Sequence, residues 1–432
     1  MLRSTTHSRG VNEDNAPELI KAFLANTHIK NPIFDANDLI KWAKSGVEHG
    51  FGWTSRSCLL LSACALGALS SPFRISLETP ADLSMRASNS IRDTPNYSTA
   101  ESYYIATRKR LGLLGNTLIA AQYLFFSGVY EMYSLRPLQA RTSFTRACSV
   151  LQVYAMGKSS QTGSQLPSTT SLEHRLYWSC LKSKSHFNFQ VSEIRDQLPL
   201  PPSGLARLDY PPFPALPEPS DGTESEQAQG LRESAFQKSW FYYLAEISGR
   251  RTANRIVSSF YRVDQMTWLS SDLDRMMRIA SELELQVQQW IEHIPESVRW
   301  EESVNQSDEL AYMLKGRVYH LYMLLYRPFL FIAVHSGNGP IDPWIDPFVQ
   351  KCLKNCFGHT CGQVKTIKHR HHGTWFAARL LLSDGLMILA AVKCKNINVP
   401  HGWPQQIQIV VSYLSYWEEE APDLLKARLA LQ

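Results

Sequence analysis

The sequence lacks the cysteine spacing that usually marks a structural zinc site. Its eight cysteines are scattered along 432 residues, and no two of them form a C-x2-C pair. A small secreted disulfide scaffold is excluded as well, because such domains are short and dense in cysteine. We therefore expect reduced thiols in an intracellular protein.

The common catalytic motifs are also missing. The sequence contains no G-x-S-x-G elbow, no H-E-x-x-H helix, no phosphate-binding loop and no G-x-G-x-x-G turn. A Ser, a His and an Asp could still meet in space, because catalytic triads are defined by geometry rather than by sequence order. No residue pattern favours one, so the sequence predicts no catalytic residue, no cofactor and no enzyme.

A secretory leader is not expected, because the N-terminal stretch MLRSTTHSRGVNEDN is polar and has no apolar core. Two segments are free of charge, one between Arg110 and Glu131 and the other between Arg56 and Arg74. The first is long enough to span a membrane, but it contains Asn, Gln, Thr, Ser and three glycines. Buried core helices explain both segments better, and we expect a soluble protein with no membrane partner.

The charge balance gives little indication of a nucleic-acid partner. The net charge of +5 comes from 44 Lys and Arg against 39 Asp and Glu, spread over a long chain. The short basic groups Arg108-Lys109-Arg110 and Arg250-Arg251 are typical of solvated helix faces or of ion pairs between helices. No recognised DNA-reading module is present.

Helical periodicity dominates the chain and predicts an all-α fold. The stretch NPIFDANDLIKWAK, with Pro32 and Asp35 before its apolar residues, predicts a helix start. Sustained period-2 alternation is absent. One predicted apolar helix face consists of Ala140, Phe144, Ala147, Cys148 and Leu151.

Further helices carry more specific expectations. A single helical run is expected from AESYYIATRKRLGLL to Tyr130, and a helix stopped or kinked at Arg327-Pro328. SCLLLSACALGAL is expected to form a helix whose small residues allow a close neighbour. On a later helix, the arginines Arg250, Arg251 and Arg255 are expected to project away from the apolar face of Trp240, Tyr243, Leu244 and Ile247.

The predicted organisation is two helical halves joined by a Pro-rich linker. Residues 1–25 form a polar tail with one weak helical stretch at Glu18 to Leu24, and residues 26–198 form the first half. Residues 199–230 form the linker, because their prolines remove backbone donors and fix φ. Residues 231–432 form the second half.

A group of cysteines and histidines is the one candidate for a metal site. KHRHHGTWFAARLLL (residues 368–382) follows Cys352, Cys356, His359 and Cys361, which with later histidines could complete a tetrahedral N/S site. The alternative is that the cysteines are small, partly buried residues and the histidines lie in a loop before a helix. We favour this alternative, so no metal ligand is predicted.

The loop interpretation predicts the role of individual residues between His371 and Thr374. Gly373 supplies a turn, and Thr374 is expected to cap the following helix through its hydroxyl group. His371 and His372 are expected to hydrogen-bond to neighbouring backbone or helix ends rather than to hold zinc.

A series of stretches occurs in a recognisable order between about residues 26 and 395. They are NPIFDANDL, HGFGWTSRSCLLLSACALGALSSPF, AESYYIATRKRLGLL with AQYLFFSGVYEMYSLRPLQARTSFTRACSVLQ, LEHRLYWSCLKSKSHFNFQ, LPLPPSG, SWFYYLAEISGRRTANRI, LQVQQWIEHIP, LLYRPFL and RHHGTWFAARLLL. Together they resemble the regulatory middle region of fungal zinc-binuclear-cluster transcription factors. No single motif is specific alone; the order carries the resemblance.

The resemblance implies an all-helical regulatory domain of a nuclear transcription regulator, often of a metabolic or secondary-metabolite pathway. In that family a six-cysteine C-x2-C module holds two zinc ions and binds DNA. Here Cys58 and Cys64 lie within a predicted helix, so no residue of that module carries over. DNA binding is expected only indirectly, or through a zinc cluster encoded upstream.

The expected partners follow from the same resemblance. They are another transcription factor or a second copy of the chain, and a small-molecule effector bound between the two halves. The alternative function is a helical ligand- or protein-binding module, a truncated family member without transcriptional activity. An enzyme is a further alternative, for which the Cys/His group is the only candidate feature.

Overall fold

The computed structural model describes residues 11–75, 90–159, 167–190, 213, 226–301, 308–336 and 341–432. Helices dominate these residues and no strand occurs among them, which confirms the all-α prediction. The α-helices are α1 (Ala16–Asn26), α2 (Ala36–His49), α3 (Ser55–Leu69), α4 (Pro95–Lys109), α5 (Leu118–Tyr133), α6 (Pro137–Ser159), α7 (Pro167–Gln190), α8 (Glu226–Phe260), α9 (Leu273–Glu292), α10 (Glu309–His335), α11 (Asp346–Gln363), α12 (Thr374–Lys393), α13 (Trp403–Trp417) and α14 (Pro422–Leu429).

The described residues divide into two compact units. Unit 1 combines the described parts of Met1–Pro72 and Ser90–Tyr243 with the short segment Arg370–Trp375. Unit 2 contains the described parts of Phe73–Asn89, Leu244–His369 and Phe376–Gln432. The division along the chain therefore falls inside α8. Of the predicted linker, Phe213 and residues 226–230 are described, and the latter begin α8; the remainder lies outside the described residues.

The segment Arg370–Trp375 belongs to unit 1 although its neighbours in sequence belong to unit 2. Arg370 is buried, and its Nη1 donates to the carbonyl oxygen of Tyr133 at 2.8 Å. That carbonyl is the last of α5, where no intrahelical donor is left for it. The distant segment thus completes the hydrogen bonding of a helix end in unit 1.

In unit 1, α1 and α3 lie in close contact. Nearly every residue of α3 is buried, and a Cβ at Gly67 would lie 2.0 Å from the carbonyl oxygen of Leu19 in α1. The close neighbour expected for this helix is therefore present. The structure differs from the predicted polar tail, because Ala16, Ile20 and Phe23 of α1 are buried.

Several helix starts in unit 1 are capped by a short polar side chain. The Asp35 carboxylate accepts from the backbone N–H groups of Asn37 at 2.8 Å and Asp38 at 3.3 Å, so α2 begins where the sequence predicted. Thr54 and Thr94 cap α3 and α4 in the same manner.

The helical run expected to reach Tyr130 is interrupted, so that prediction was wrong. α4 ends at Lys109, Leu111–Leu113 forms a 3₁₀ turn, and Gly115 adopts a left-handed φ of 55°. Thr117 then caps α5 by accepting from the N–H of Ala120. A glycine in this conformation followed by a capping threonine ends one helix and begins another.

α5 and α6 add to the core of unit 1 that α1 and α3 begin. Every residue from Ala120 to Tyr133 is buried, as expected for this uncharged segment. The predicted apolar face of α6 is buried as well. α6 extends to Ser159 and α7 begins at Pro167, and residues 160–166 lie outside the described residues.

In unit 2, α10 continues through Pro328 to His335 instead of stopping there. Proline has no N–H, so the carbonyl group four residues earlier loses its helical donor. That carbonyl belongs to Leu324, and it accepts from the hydroxyl of Tyr261 at 2.7 Å. A side chain outside the helix therefore replaces the missing bond.

Among the described residues, α12 is the one helix whose length and apolar character would suffice to cross a membrane. Most of its apolar window, 61%, is buried inside the protein. A core helix of a folded domain has the same properties, so the observation is weak evidence for a membrane.

Candidate functional site

Two buried polar clusters stand out, one in each unit. The unit 1 cluster consists of Arg175, Lys182 and Tyr243 with the backbone carbonyls that they bind. The unit 2 network consists of Glu246, Arg250, Arg317, His320, His359, Gln363 and Asp384. All of these side chains are buried. Buried polar groups are costly unless they are satisfied, so such clusters are candidates for function.

In the unit 1 cluster, two cationic side chains of α7 bind the connection between α1 and α2. Arg175 Nη1 donates to the carbonyl oxygen of Pro32 at 2.7 Å, and Lys182 Nζ donates to that of Lys30 at 3.4 Å. The two residues are seven apart on α7 and thus share a face. This face holds an irregular backbone segment whose carbonyl groups need donors.

Tyr243 of α8 completes the unit 1 cluster. Its hydroxyl group donates to the carbonyl oxygen of Arg175 at 2.5 Å and lies 2.9 Å from the Ser179 hydroxyl. The ammonium group of Lys182 lies 5.6 Å from the centre of the Tyr243 ring, within cation–π range. The stretches NPIFDANDL, LEHRLYWSCLK and SWFYYLAEI, which are far apart in sequence, meet here.

The electrostatics of this cluster hold a neighbouring histidine neutral. Burial, and then the Arg175 charge, lowers the pKa of His28 to about 4. Its Nε2 accepts from the N–H of Phe34 at 3.3 Å. Burial also lowers the pKa of Arg175, an effect opposed by Tyr243 and Asp35.

The centre of the unit 2 network is an ion pair between α8 and α10. Arg317 donates to both carboxylate oxygens of Glu246, one of them from Nε at 3.3 Å. Arg250 Nη2 lies 3.8 Å from the same carboxylate. Arg250 was expected to project away from the apolar face, but it is only 2% exposed, so that expectation was wrong. Arg251 and Arg255 are exposed, as expected.

The ion pair continues to a histidine on the next turn of α10. Arg317 Nη1 donates to His320 Nδ1 at 2.8 Å, so this ring carries its proton on Nε2 and is neutral. Burial, followed by the charges of Arg317 and Arg250, holds the pKa of His320 well below its ordinary value. The network thus places two guanidinium groups beside the single carboxylate of Glu246, and His320 adds no third cation.

His359 of α11 joins a second carboxylate to the unit 2 network. Its Nδ1 donates to Asp384 Oδ2 at 2.5 Å, and its Nε2 lies 3.2 Å from the Gln363 side-chain nitrogen. Tyr312 in turn donates to Gln363 Oε1 at 2.5 Å. Burial raises the pKa of Asp384, while His359 opposes that rise. Both ring nitrogens of His359 are engaged, so neither is positioned to abstract a proton from a substrate.

The cysteines and histidine of the candidate metal group do not together surround one point in the described part of the chain. Cys352 and Cys356 were expected to be small, partly buried residues, and they are fully buried on α11, while Cys361 is exposed. Cys352 Sγ lies 3.9 Å from Met387 Sδ. The pKa of the Cys356 thiol is raised by its hydrogen bond with Cys352 and by burial. In the described part of the chain, no three His, Cys, Asp or Glu residues lie together as metal ligands would.

The histidine loop is held by backbone hydrogen bonds. His371 Nδ1 accepts from the N–H of Gly373 at 3.0 Å, as predicted, and a Cβ at Gly373 would lie 2.9 Å from the His371 ring. The capping prediction for Thr374 was wrong. Its hydroxyl accepts from the upstream N–H of His371 at 2.9 Å, and Thr374 is itself the first residue of α12.

Comparison of the chain with family models, with curated proteins and with solved structures found no match. The two clusters therefore have to be interpreted from their own chemistry.

Sequence reasoning did not single out the ion pair of the unit 2 network. Glu246, Arg317 and Asp384 come from three different helices, and each is a charged residue within a largely apolar stretch. Such isolated charges could have indicated an ion pair, because a charged side chain on a buried helix needs a partner. The pairing itself depends on tertiary contacts that no local pattern specifies.

Chemically, both clusters suit structural coupling better than catalysis. Many of their donors and acceptors face one another, and His359, the member of the unit 2 network that is paired with a carboxylate, has both ring nitrogens occupied. An active site needs an acid, base or nucleophile with access to substrate. The described hydrogen bonds of both clusters hold elements of the same unit together.

Proposed function

We propose that this chain is a helical transcription regulator that acts through a protein partner and a small-molecule effector, in the nucleus. The observation that carries the proposal is the order of the stretches resembling fungal zinc-cluster regulators. It is supported by the positions of these stretches, which contribute Arg175, Tyr243, Arg250 and other members of the two clusters.

In the proposed mechanism, the side chains of the unit 2 network adopt a small number of distinct arrangements, and the protein switches between them. A buried ion pair is stable only while its two partners remain in contact, since separating them leaves an uncompensated charge in the interior. An effector or partner that binds one arrangement more tightly shifts the population toward it. The output is altered recruitment at a promoter, with DNA bound by a partner or by a zinc cluster encoded upstream.

The proposal is tested by fusing the chain to an unrelated DNA-binding domain and measuring a reporter gene with matching sites. We expect reporter expression to change by about fivefold or more relative to the DNA-binding domain alone. A Glu246→Gln fusion should lose the change, while Asp274→Asn on an exposed position of α9 should keep it. Circular dichroism of both variants shows whether each is folded.

Two results together would reject the proposal: an unchanged reporter, and unchanged transcript levels after deletion of the gene. A tagged protein excluded from the nucleus would instead favour a helical binding module without transcriptional activity. Mapping the 5′ ends of the messenger decides how DNA is reached. An upstream in-frame exon with six clustered cysteines would supply direct binding.

A further inference from the structure

One face of α6 is exposed and carries no charge over five turns. Its members recur at intervals of three or four residues, so they form a single stripe on the helix. They are Leu138, Thr142, Thr145, Ser149, Val153 and Met156, all exposed. The three apolar side chains of this α6 face are 67%, 50% and 73% exposed in chain order. The opposite side of α6 is the buried face described above.

Two of the three polar members of the α6 face have turned their hydroxyl groups to the helix itself. Thr142 Oγ1 donates to the carbonyl oxygen of Leu138, and Ser149 Oγ donates to that of Thr145, each at 3.1 Å. The face therefore presents methyl and aliphatic surface. A solvated helix face normally carries charged side chains.

Within α6, the charged residues that border this face are both positive. Arg141 and Arg146 lie on its two sides, at about 80° and 60° from the centre of the stripe for a regular helix. Neither forms an ion pair within the part of the chain that the structure describes. The sequence of α6 contains no Asp or Glu. The face is thus an apolar seam with a basic rim on both edges.

We propose that the α6 face binds an amphipathic helix of another protein whose apolar stripe is bordered by acidic residues. Apolar anchors at helical spacing fit the three exposed side chains, and acidic residues pair with Arg141 and Arg146. A second copy of this chain is disfavoured as the occupant, because packing α6 on α6 brings only like charges together. The inference does not depend on a role in transcription.

The test uses two synthetic helical peptides with the same leucine seam, one with Glu and one with Lys at the bordering positions. Binding to the full chain is measured by fluorescence anisotropy. We expect the Glu peptide to bind about tenfold tighter or more, with a smaller difference at high salt. The double variant Val153→Asp, Met156→Asp should weaken its binding about tenfold.

Leu429→Asp is the matched control, because Leu429 is an exposed leucine of α14, 58% exposed, in unit 2. It should leave binding unchanged, and thermal unfolding should show that all variants are folded. Equal binding of the two peptides, no binding of the Glu peptide, or unchanged binding to the double variant would overturn the proposal. So would a dimer in sedimentation that the double variant abolishes, since a second copy would then cover the face.

Discussion

His28 is buried beside a guanidinium group, and its neutral form is the one that fits the fold. Its pKa of about 4 lies below the ordinary 6.5. The unfolded chain therefore binds a proton between these values that the folded chain does not, and stability falls as the pH drops through this window. We expect a loss of about 2 kcal/mol from this residue between pH 7 and pH 5.

Urea unfolding of His28→Gln at the two pH values measures this contribution. The variant should be less stable at pH 7 but should lose less stability on acidification. His49→Gln is the control, because the side chain of His49 is 74% exposed in the folded chain. An identical loss in the wild type and in His28→Gln would show that His28 does not titrate in this window.

Removing one or the other partner of the ion pair in the unit 2 network should cost unequal amounts of unfolding free energy. Glu246→Gln leaves two buried guanidinium groups without a carboxylate, and we expect it to cost about 3–5 kcal/mol of unfolding free energy. Arg317→Met leaves Glu246 beside Arg250, so its cost should be smaller, about 2 kcal/mol. Chemical denaturation of both variants measures the difference. Equal costs would mean that Arg250 contributes nothing to the charge balance.

Among the helices, the contact between α1 and α3 depends on one residue without a side chain. Gly67→Ala places a methyl group against the Leu19 carbonyl oxygen, so the two helices must separate. We expect a loss of about 2–3 kcal/mol in thermal or chemical unfolding. Gly316→Ala in α10 is the control, since nothing lies within 4 Å of its Cβ, and it should stabilise by about 0.5–1 kcal/mol.

The compensation at Pro328 can be tested by a double-mutant cycle. Tyr261→Phe removes the donor to the Leu324 carbonyl oxygen and should cost about 1 kcal/mol in chemical unfolding. In a Pro328→Ala background, the restored N–H supplies that carbonyl, so the same substitution should cost little. If Tyr261→Phe costs the same in both backgrounds, the hydroxyl group does not replace the missing helical bond.

Local sequence patterns predicted helices well. They failed where contacts between residues far apart in the sequence determine the structure. The Asp35 cap and the buried face of α6 follow from neighbouring residues, and both were predicted. The sequence did not predict the break at Gly115, because a single residue with a left-handed φ leaves no mark on the periodicity of a long apolar run. α10 was expected to stop or kink at Pro328; it does not stop there, and a hydroxyl group from outside the helix satisfies the carbonyl of Leu324.

The candidate site was less predictable than the helices. Periodicity placed Arg250 away from the apolar face, yet a carboxylate one turn earlier holds it in the interior. The partner of that carboxylate, Arg317, is 71 residues away in sequence. Pairings at such distances arise from packing, and helical patterns carry no information about them.

For the whole molecule, the scattered cysteines and histidines predict a protein purified with little zinc. We expect less than about a tenth of an equivalent by elemental analysis, since a tight structural zinc would survive purification. His371→Ala should destabilise the fold by about 1 kcal/mol, because the N–H of Gly373 loses its acceptor, and should not change the zinc content. Stoichiometric zinc that this substitution removes would contradict the interpretation.

The segment Arg370–Trp375 also bears on how the chain is made. A ribosome that has released α8 has already produced all of unit 1 except these six residues, and more than a hundred residues of unit 2 come before them. Until then the carbonyl group of Tyr133 has no Arg370 to bind it. The final closure of unit 1 is therefore a late event in synthesis, and nascent chains that stall before residue 370 should be the species most dependent on chaperones.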